Sequence, residues 1–229
     1  KRMPGPGMSW RVIAFAPSDP EIVYAGVSAY FSAGSFDNTM EAGGITISTN
    51  GGTTWREAND GVSKMANVSS LAVDPDNPKL VYAGTLNRGV LKSTDSGARW
   101  VRMNRGLPAG PRVLSVLLTP GEPRVLLAGL ERGGVYRSTD GGGSWKASAA
   151  GMNPEASVAD LVSDPVDAEV IYAADNAGGV YRCDDGGTSW QPVNSGLRTR
   201  AVNALSITAD GGRLYAATEG EGVFRLDVR

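Results

Sequence analysis

The chain of 229 residues contains no histidine and one cysteine, Cys183. Without histidine it lacks the commonest proton shuttle near neutral pH and the commonest zinc ligand. A single cysteine forbids an intrachain disulfide and leaves the redox compartment open. No apolar run approaches the roughly 18 residues needed to span a membrane, so membrane insertion is not expected. There is no surplus of positive charge either, with 22 Lys plus Arg against 24 Asp plus Glu. That balance gives no general attraction to phosphates, and no nucleic-acid partner is expected. The start, KRMPGPGMSW, has neither an initiator Met nor a signal-peptide core. It reads as a processed product or an excised domain, and any targeting segment could have been lost with the missing part.

Glycine, by contrast, is abundant and strictly placed. The octets STNGGTTW (48–55), STDSGARW (93–100), STDGGGSW (138–145) and CDDGGTSW (183–190) end on Trp55, Trp100, Trp145 and Trp190, always 45 residues apart. One spacing kept through four copies marks a structural repeat. Upstream of the octets run WRVIAFAP (10–17), VSSLAVDP (68–75), VLSVLLTP (113–120) and VADLVSDP (158–165), with a fifth copy at VNALSITA (202–209). A second run follows in each unit, from IVYAG (22–26) to LYAAT (214–218), then a third, from GITIS (44–48) to GVFRL (222–226). A short fourth segment follows each octet tryptophan.

These segments are short, rich in Val, Ile, Leu and Tyr, and end at Gly, Pro, Asp or Asn, which are strand and turn signals. Four short antiparallel strands cannot bury both faces alone, and packing the sheets radially solves the problem. The expected fold is an all-β propeller of about five blades in one domain, 1–229, with units near 10–66, 67–111, 112–156, 157–201 and 202–229. A stacked solenoid would need shorter coils, and a sandwich would not need the regular spacing. The fifth unit has three strands and no octet, so the terminal blade is incomplete. Two readings stay open: a closed five-bladed ring, or a piece of a larger propeller or open arc. An incomplete blade also offers a route to self-association.

The octets sit where the third strand reverses into the fourth. Glycine supplies positive φ there, Asp accepts turn amides, and Trp is expected to lock the turn onto its own sheet. Asn50, Asp95, Asp140 and Asp185 are read as structural partners of Trp55, Trp100, Trp145 and Trp190, and no catalytic residue is assigned. The links between second and third strands lie at the opposite end, where the sequence varies. In the first unit this link is the insertion VSAYFSAGSFDNTMEAG (27–43), where TLNR (85–88) suffices in the second. Tyr30, Phe31 and Phe36 beside Asp37 and Glu41 read as a ligand- or partner-contacting loop, or as cover for a gap between blades. The same end should carry Arg88, Glu131, Arg132, Asp175 and Glu219, as a ligand-binding rim or as solvated surface. Paired carboxylates such as Asp37 and Glu131 would do acid and base work on a glycan only at a separation of roughly 5–10 Å.

Three further features read as structural. Lys92, Arg137, Arg182 and Arg225 recur on the third strand, where they should pair with carboxylates or lie along the blade edge. Cys183 replaces Ser48, Ser93 and Ser138 as a small buried residue with no base beside it. DPDNP (74–78) and TDGGG (139–143) lack calcium-loop spacing, and no phosphate-binding loop is present, so no metal or cofactor is expected.

The pattern S-x-D-x-G-x-x-W, complete at Ser93–Trp100 and Ser138–Trp145, resembles the Asp-box or BNR repeat. Asn50 and Cys183 are its departures in the other two copies. Similar repeats occur in sialidases, xyloglucan-directed glycoside hydrolases, sortilin-like receptors and photosystem II assembly factors. The resemblance implies a propeller and, for compartment, an extracellular or periplasmic setting. A sialidase would bring an arginine triad and a Tyr/Glu pair that cannot be placed here. The expectation is a non-catalytic scaffold binding a protein or glycan, with a glycoside hydrolase or a fragment of one as the alternative.

Overall fold

The structure, a computed structural model, describes residues 9–28, 44–62 and 66–228. It divides into two compact units, Lys1–Met103 and Asn104–Arg229. In the first unit, sheet one consists of β1 (Ser9–Ala16), β2 (Asp19–Ser28), β3 (Gly44–Ser48) and β4 (Arg56–Glu57). Sheet two consists of β5 (Val68–Val73), β6 (Val81–Thr85), β7 (Gly89–Ser93) and β8 (Val101–Arg102). In the second unit, sheet three is built from β9 (Val113–Leu118), β10 (Leu126–Leu130), β11 (Val135–Ser138) and β12 (Lys146–Ala147). Sheet four is β13 (Val158–Ser163), β14 (Ile171–Asp175), β15 (Gly179–Cys183) and β16 (Gln191–Pro192), and sheet five is β17 (Val202–Ile207), β18 (Arg213–Thr218) and β19 (Gly222–Asp227). Every sheet is an antiparallel meander with strands in chain order, and sheet five has three strands among the described residues.

The sequence dictates this by where it is apolar on both faces. The second strands β6, β10 and β14 are buried at every residue; around β14 this is because sheet four packs sheet three on one side and sheet five on the other. Their small residues set the approach: a Cβ on Gly129 would fall 2.7 Å from the Val158 carbonyl oxygen of the next sheet. The cores therefore lie between sheets. Ile45, Ile47 and Ala58 of sheet one meet Val68, Leu71 and Trp100 of sheet two. Leu127, Val135 and Met152 meet Leu161, Ile171 and Trp190, and Tyr172, Ala174 and Val180 meet Val202, Leu205 and Leu214. The Tyr24 hydroxyl adds a bond of 2.8 Å to the Pro78 carbonyl of the adjacent sheet.

The fourth strands are only two residues long and exposed at both. Beyond the second residue the chain turns away, held by one more backbone bond to the third strand, such as Ser148 N–H to Val135 at 2.8 Å and Val193 N–H to Val180 at 2.9 Å. Each first strand carries a register shift near its second residue. This bulge re-aims the side chains that follow, and two of them bridge neighbouring first strands. Ser115 Oγ donates to the Val158 carbonyl at 3.2 Å, and Asp160 Oδ2 accepts the Leu205 amide at 2.8 Å. Residues 1–8, on which the closed-ring reading turns, lie outside the described residues.

Candidate functional site

The octets build one hydrogen-bond wheel four times. In the third copy Ser138 Oγ donates to Asp140 Oδ1 (2.7 Å) and accepts the Gly142 amide (2.9 Å). Asp140 Oδ1 accepts the Ser144 amide at 2.8 Å, and Oδ2 accepts the Ser144 hydroxyl at 2.6 Å. Positive φ at Gly141 and Gly142 (66° and 89°) lets their amides face inward, a conformation costly for any residue with a Cβ. Asp95 repeats the pattern with Ser93 and the Arg99 amide. Asn50 does so with Ser48 and the Thr54 amide, its own Nδ2 donating to Thr54 Oγ1. Cys183 stands in for serine: its thiol donates to Asp185 Oδ1 (2.8 Å), and its sulfur accepts the Gly187 amide (2.9 Å).

These donors tune the carboxylates. The Ser144 hydroxyl and amide, then Ser138, hold Asp140 well below the usual carboxylate range. The Arg99 amide and Ser93 hydroxyl lower Asp95. Burial works against ionisation of Asp185, but Cys183 and Ser189 outweigh it and keep that carboxyl low as well. Burial raises the Cys183 thiol, the opposite of nucleophile activation. Carboxylates held ionised and saturated with local donors are fasteners; a general acid needs a proton to give.

The tryptophans differ from the expectation in one respect. Trp100 Nε1 donates to the Ala58 carbonyl at 2.8 Å and Trp190 Nε1 to the Ser148 carbonyl at 2.7 Å, each in the preceding sheet. Their amides do the same, to Asp60 and Ala150. They fasten successive sheets because the indole is long enough to cross the gap between them. Trp55 is half-buried and has no preceding sheet among the described residues; its Nε1 turns back to the Gly52 carbonyl three residues earlier. Backbone bonds from Gly51 to Glu21, Ser96 to Lys79 and Gly186 to Glu169 place the octets at the end bearing the first-to-second-strand turns.

At the other end lie the links between second and third strands. Leu86 N–H donates to Asn67, Glu131 to Arg112, Asn176 to Ser157 and Glu219 to Ala201, all at 2.9–3.0 Å, so every described link is tied to the start of its own first strand. In the first unit, Arg88 is half-buried and its amide donates to Thr85 Oγ1. In the second unit, Arg132 and Glu219 are exposed, while Glu131 pairs with Arg112 at 2.5 Å. Asp175 is 1% exposed, and its Oδ1 accepts the Ser157 and Ala177 amides, both at 3.1 Å. Its carboxylate shapes the link from within. Tyr30, Phe31, Phe36, Asp37 and Glu41 lie outside the described residues.

The third-strand cations find varied partners. Arg182 pairs with Asp184 (2.8 Å) and donates to the Tyr172 hydroxyl, and Arg225 pairs with Asp227 (3.3 Å). Arg137 instead donates to the Gly186 carbonyl, and Lys92 lies 5.3 Å over the Tyr82 ring. Three other residues escaped the sequence reading. Asn59 and Asn194 accept the Ile45 and Val180 amides on the third strand (2.8 and 2.7 Å). Asp160, raised by burial, joins two first strands. The recurrence of Asn at 59, 104 and 194 on the repeat spacing was the available signal for the first pair. Among the described residues no cluster of three or more potential ligands could hold a metal ion, and no helix is long and apolar enough to cross a membrane.

No protein-family model and no curated protein matches the chain. Solved structures do. An ancestral GH74 enzyme aligns over 94% of this chain with a TM-score of 0.74 at 24% identity, and this chain spans 28% of that protein's length. A GH74 xyloglucanase from Xanthomonas campestris aligns over 93% at TM-score 0.68 and 17% identity, with 36% of its length covered. YCF48, solved bound to a D1 peptide, aligns over 95% at TM-score 0.64 and 17% identity, with 65% of its length covered. Together with the all-strand meanders and the 45-residue period, these likenesses show the fold: the chain is built as a β-propeller, with a fifth sheet of three strands among the described residues.

Proposed function

We propose that the chain is a non-catalytic scaffold that binds a protein segment at the sheet ends bearing the second-to-third-strand links. The observation that carries this reading is the division of labour among its carboxylates. Asp175 is consumed by backbone amides, Glu131 by Arg112, and the octet aspartates by their own turns. What the links present outward is a display surface: Arg132 and Glu219 on turns pinned by backbone bonds. Pinned turns suit recognition, since little ordering entropy is lost on binding. The 27–43 insertion, with Tyr30 and Phe31 as aromatic anchors and Asp37 and Glu41 beside them, is the proposed main contact. The YCF48 likeness supports the reading, because that propeller was captured with a peptide.

The rival reading is a glycoside hydrolase fragment, to which the GH74 likenesses point. Two measurements on the 229-residue chain decide. A photo-crosslinking residue placed at Phe31 or Arg132 should give polypeptide adducts, and one at Thr54 on the octet end should not; equal adducts at both ends would overturn the proposal. Release of reducing sugar from xyloglucan, other β-glucans or α-sialosides would overturn it in favour of the hydrolase.

A further inference from the structure

The sequence has one asparagine followed directly by glycine, Asn50–Gly51, and it lies in the first octet where the other three copies hold aspartate. Such a step is open to attack from within the chain, because glycine puts no Cβ beside the nitrogen that faces the preceding side-chain carbonyl.

The wheel arranges the reacting groups. Asn50 Oδ1 accepts two donors, the Ser48 hydroxyl at 3.0 Å and the Thr54 amide at 2.8 Å. The Gly52 amide donates to the Ser48 oxygen at 2.9 Å and so directs the serine proton toward Asn50. Two donors on one amide oxygen draw electrons from Cγ and stand where negative charge collects when a nucleophile adds there. Nδ2, the group that has to leave, donates to Thr54 Oγ1 at 2.8 Å. On the other side the Gly51 amide faces Glu21, donating to its backbone carbonyl at 3.0 Å. The atoms that a Cβ on Gly51 would meet first all belong to the Glu21 carboxyl, the nearest at 3.1 Å. A base therefore borders the residue whose nitrogen has to lose a proton. Ser48 is buried within the turn, while Asn50, Gly51 and Thr54 are exposed, so water reaches the amide.

We propose that Asn50 is a self-modification site, converted to aspartate by its own octet. The Gly51 nitrogen gives its proton to the Glu21 carboxylate and bonds to Asn50 Cγ, closing a succinimide ring. Nδ2 takes that proton and leaves as ammonia. Water then adds to Cγ and breaks the new Cγ–N bond; its hydroxyl stays on Cγ and its other hydrogen returns to the Gly51 nitrogen. One water is consumed and one ammonia released. Opening at the backbone carbonyl instead would leave an isoaspartyl link, but Ser48 and Thr54 activate Cγ, so ordinary aspartate is the main product. That product completes the wheel. Asp140 and Asp185 take the hydroxyls of Ser144 and Ser189 on Oδ2, both at 2.6 Å, and Thr54 turns its hydroxyl to do the same. An isoaspartyl link lengthens the main chain and carries the acceptor away from both donors. The site lies at the octet end, apart from the links, so either proposal can fail alone.

The test holds the 229-residue chain at mildly alkaline pH beside a synthetic peptide copying residues 46–57. Both are then digested and read by mass spectrometry with electron-transfer fragmentation, which separates aspartyl from isoaspartyl residues. The folded chain should convert at Asn50 with aspartate in the majority, whereas the peptide, lacking the wheel, should give mostly the isoaspartyl form. Ser48→Ala should slow conversion at least about 10-fold, as loss of an oxyanion donor does, and raise the isoaspartyl share. Gly51→Ser should suppress conversion without unfolding, because Ser96 holds the same place in the second octet at φ 60°, against 61° for Gly51. Asn50 left intact while the peptide converts overturns the proposal. So does an isoaspartyl majority in the folded chain, or conversion undiminished in Gly51→Ser.

Discussion

Trp100→Ala and Trp55→Ala remove the same side chain from the same compact unit, so the difference between their costs isolates the inter-sheet role. Trp100 is 3% exposed, and its indole bonds to Ala58, which is itself 2% exposed. Burying an indole removes about 200 Å² from water, worth about 5 kcal/mol at about 25 cal/mol per Å². Truncation of a buried aromatic residue costs about 3–5 kcal/mol in practice. Trp100→Phe keeps most of the apolar contact but leaves the Ala58 carbonyl without its donor, at about 1–3 kcal/mol. Trp55 is half-buried and satisfies a carbonyl in its own turn. About half the area is at stake, so Trp55→Ala should cost about 2 kcal/mol, and Trp55→Phe well under about 1 kcal/mol because water can replace the donor.

Guanidinium titration followed by far-UV circular dichroism gives the four values, and native-state hydrogen exchange at the Ala58 and Trp100 amides localises the loss. In a repeat protein a lost interface term should loosen both sheets that share it. Equal costs for Trp55→Ala and Trp100→Ala, within about 0.5 kcal/mol, would refute the account. Protection lost in sheet two alone would do the same, since the tryptophan would then be acting within its own turn.

The remaining predictions concern the fasteners. Cys183→Ser should be neutral or slightly stabilising in thermal denaturation, because serine fills the equivalent place in the other three octets with the same bonds. Ser138→Ala should cost about 1–3 kcal/mol by leaving the buried Gly142 amide without an acceptor, and carboxyl NMR titration should find Asp140 moved back up toward the ordinary range. Asn194→Ala should cost a similar amount through the Val180 amide, read as faster exchange of that amide. Asp95, Asp140 and Asp185 have folded-state values below the unfolded ones. Their stabilisation is therefore full above about pH 4 and falls away as pH drops toward those lowered values. Asp160 is raised by burial and acts in the opposite sense, favouring the folded state most when protonated. The midpoint in guanidinium should fall between pH 4 and 2 in the parent chain, less steeply in Asp140→Asn, which keeps an acceptor as Asn50 does.

Much of the fold was legible because a propeller sheet is specified locally. Strand runs, turn residues and the octet all lie within one 45-residue period, and their repetition averages out local ambiguity. The octet wheels were legible for the same reason: Ser, Asp and Gly at fixed offsets have few geometries in which all their donors are satisfied. What the sequence hid were contacts across sheets. Nothing in STDSGARW says that the indole bonds to a carbonyl 42 residues earlier, because the gap it crosses exists only once two sheets are packed. Asp175 was misleading for a related reason. On a variable link its carboxylate reads as display, yet the strand pairing turns it inward onto the Ser157 amide.

That contrast also bears on how such a chain diversifies. A side chain that closes a wheel or crosses a gap is fixed by several partners at once, and changing it disturbs two sheets. A side chain on a link pinned only through its backbone bonds, such as Arg132 or Glu219, can change without altering those bonds. Backbone pinning therefore separates stability from recognition within one repeat. The octet end carries the mechanical load while the link end is free to vary in charge, shape and length. An insertion as large as 27–43 can be accommodated at the link end because loop closure grows only slowly costlier with length, and the neighbouring links keep their own ties. The same insertion within an octet would break a wheel and an inter-sheet tryptophan together.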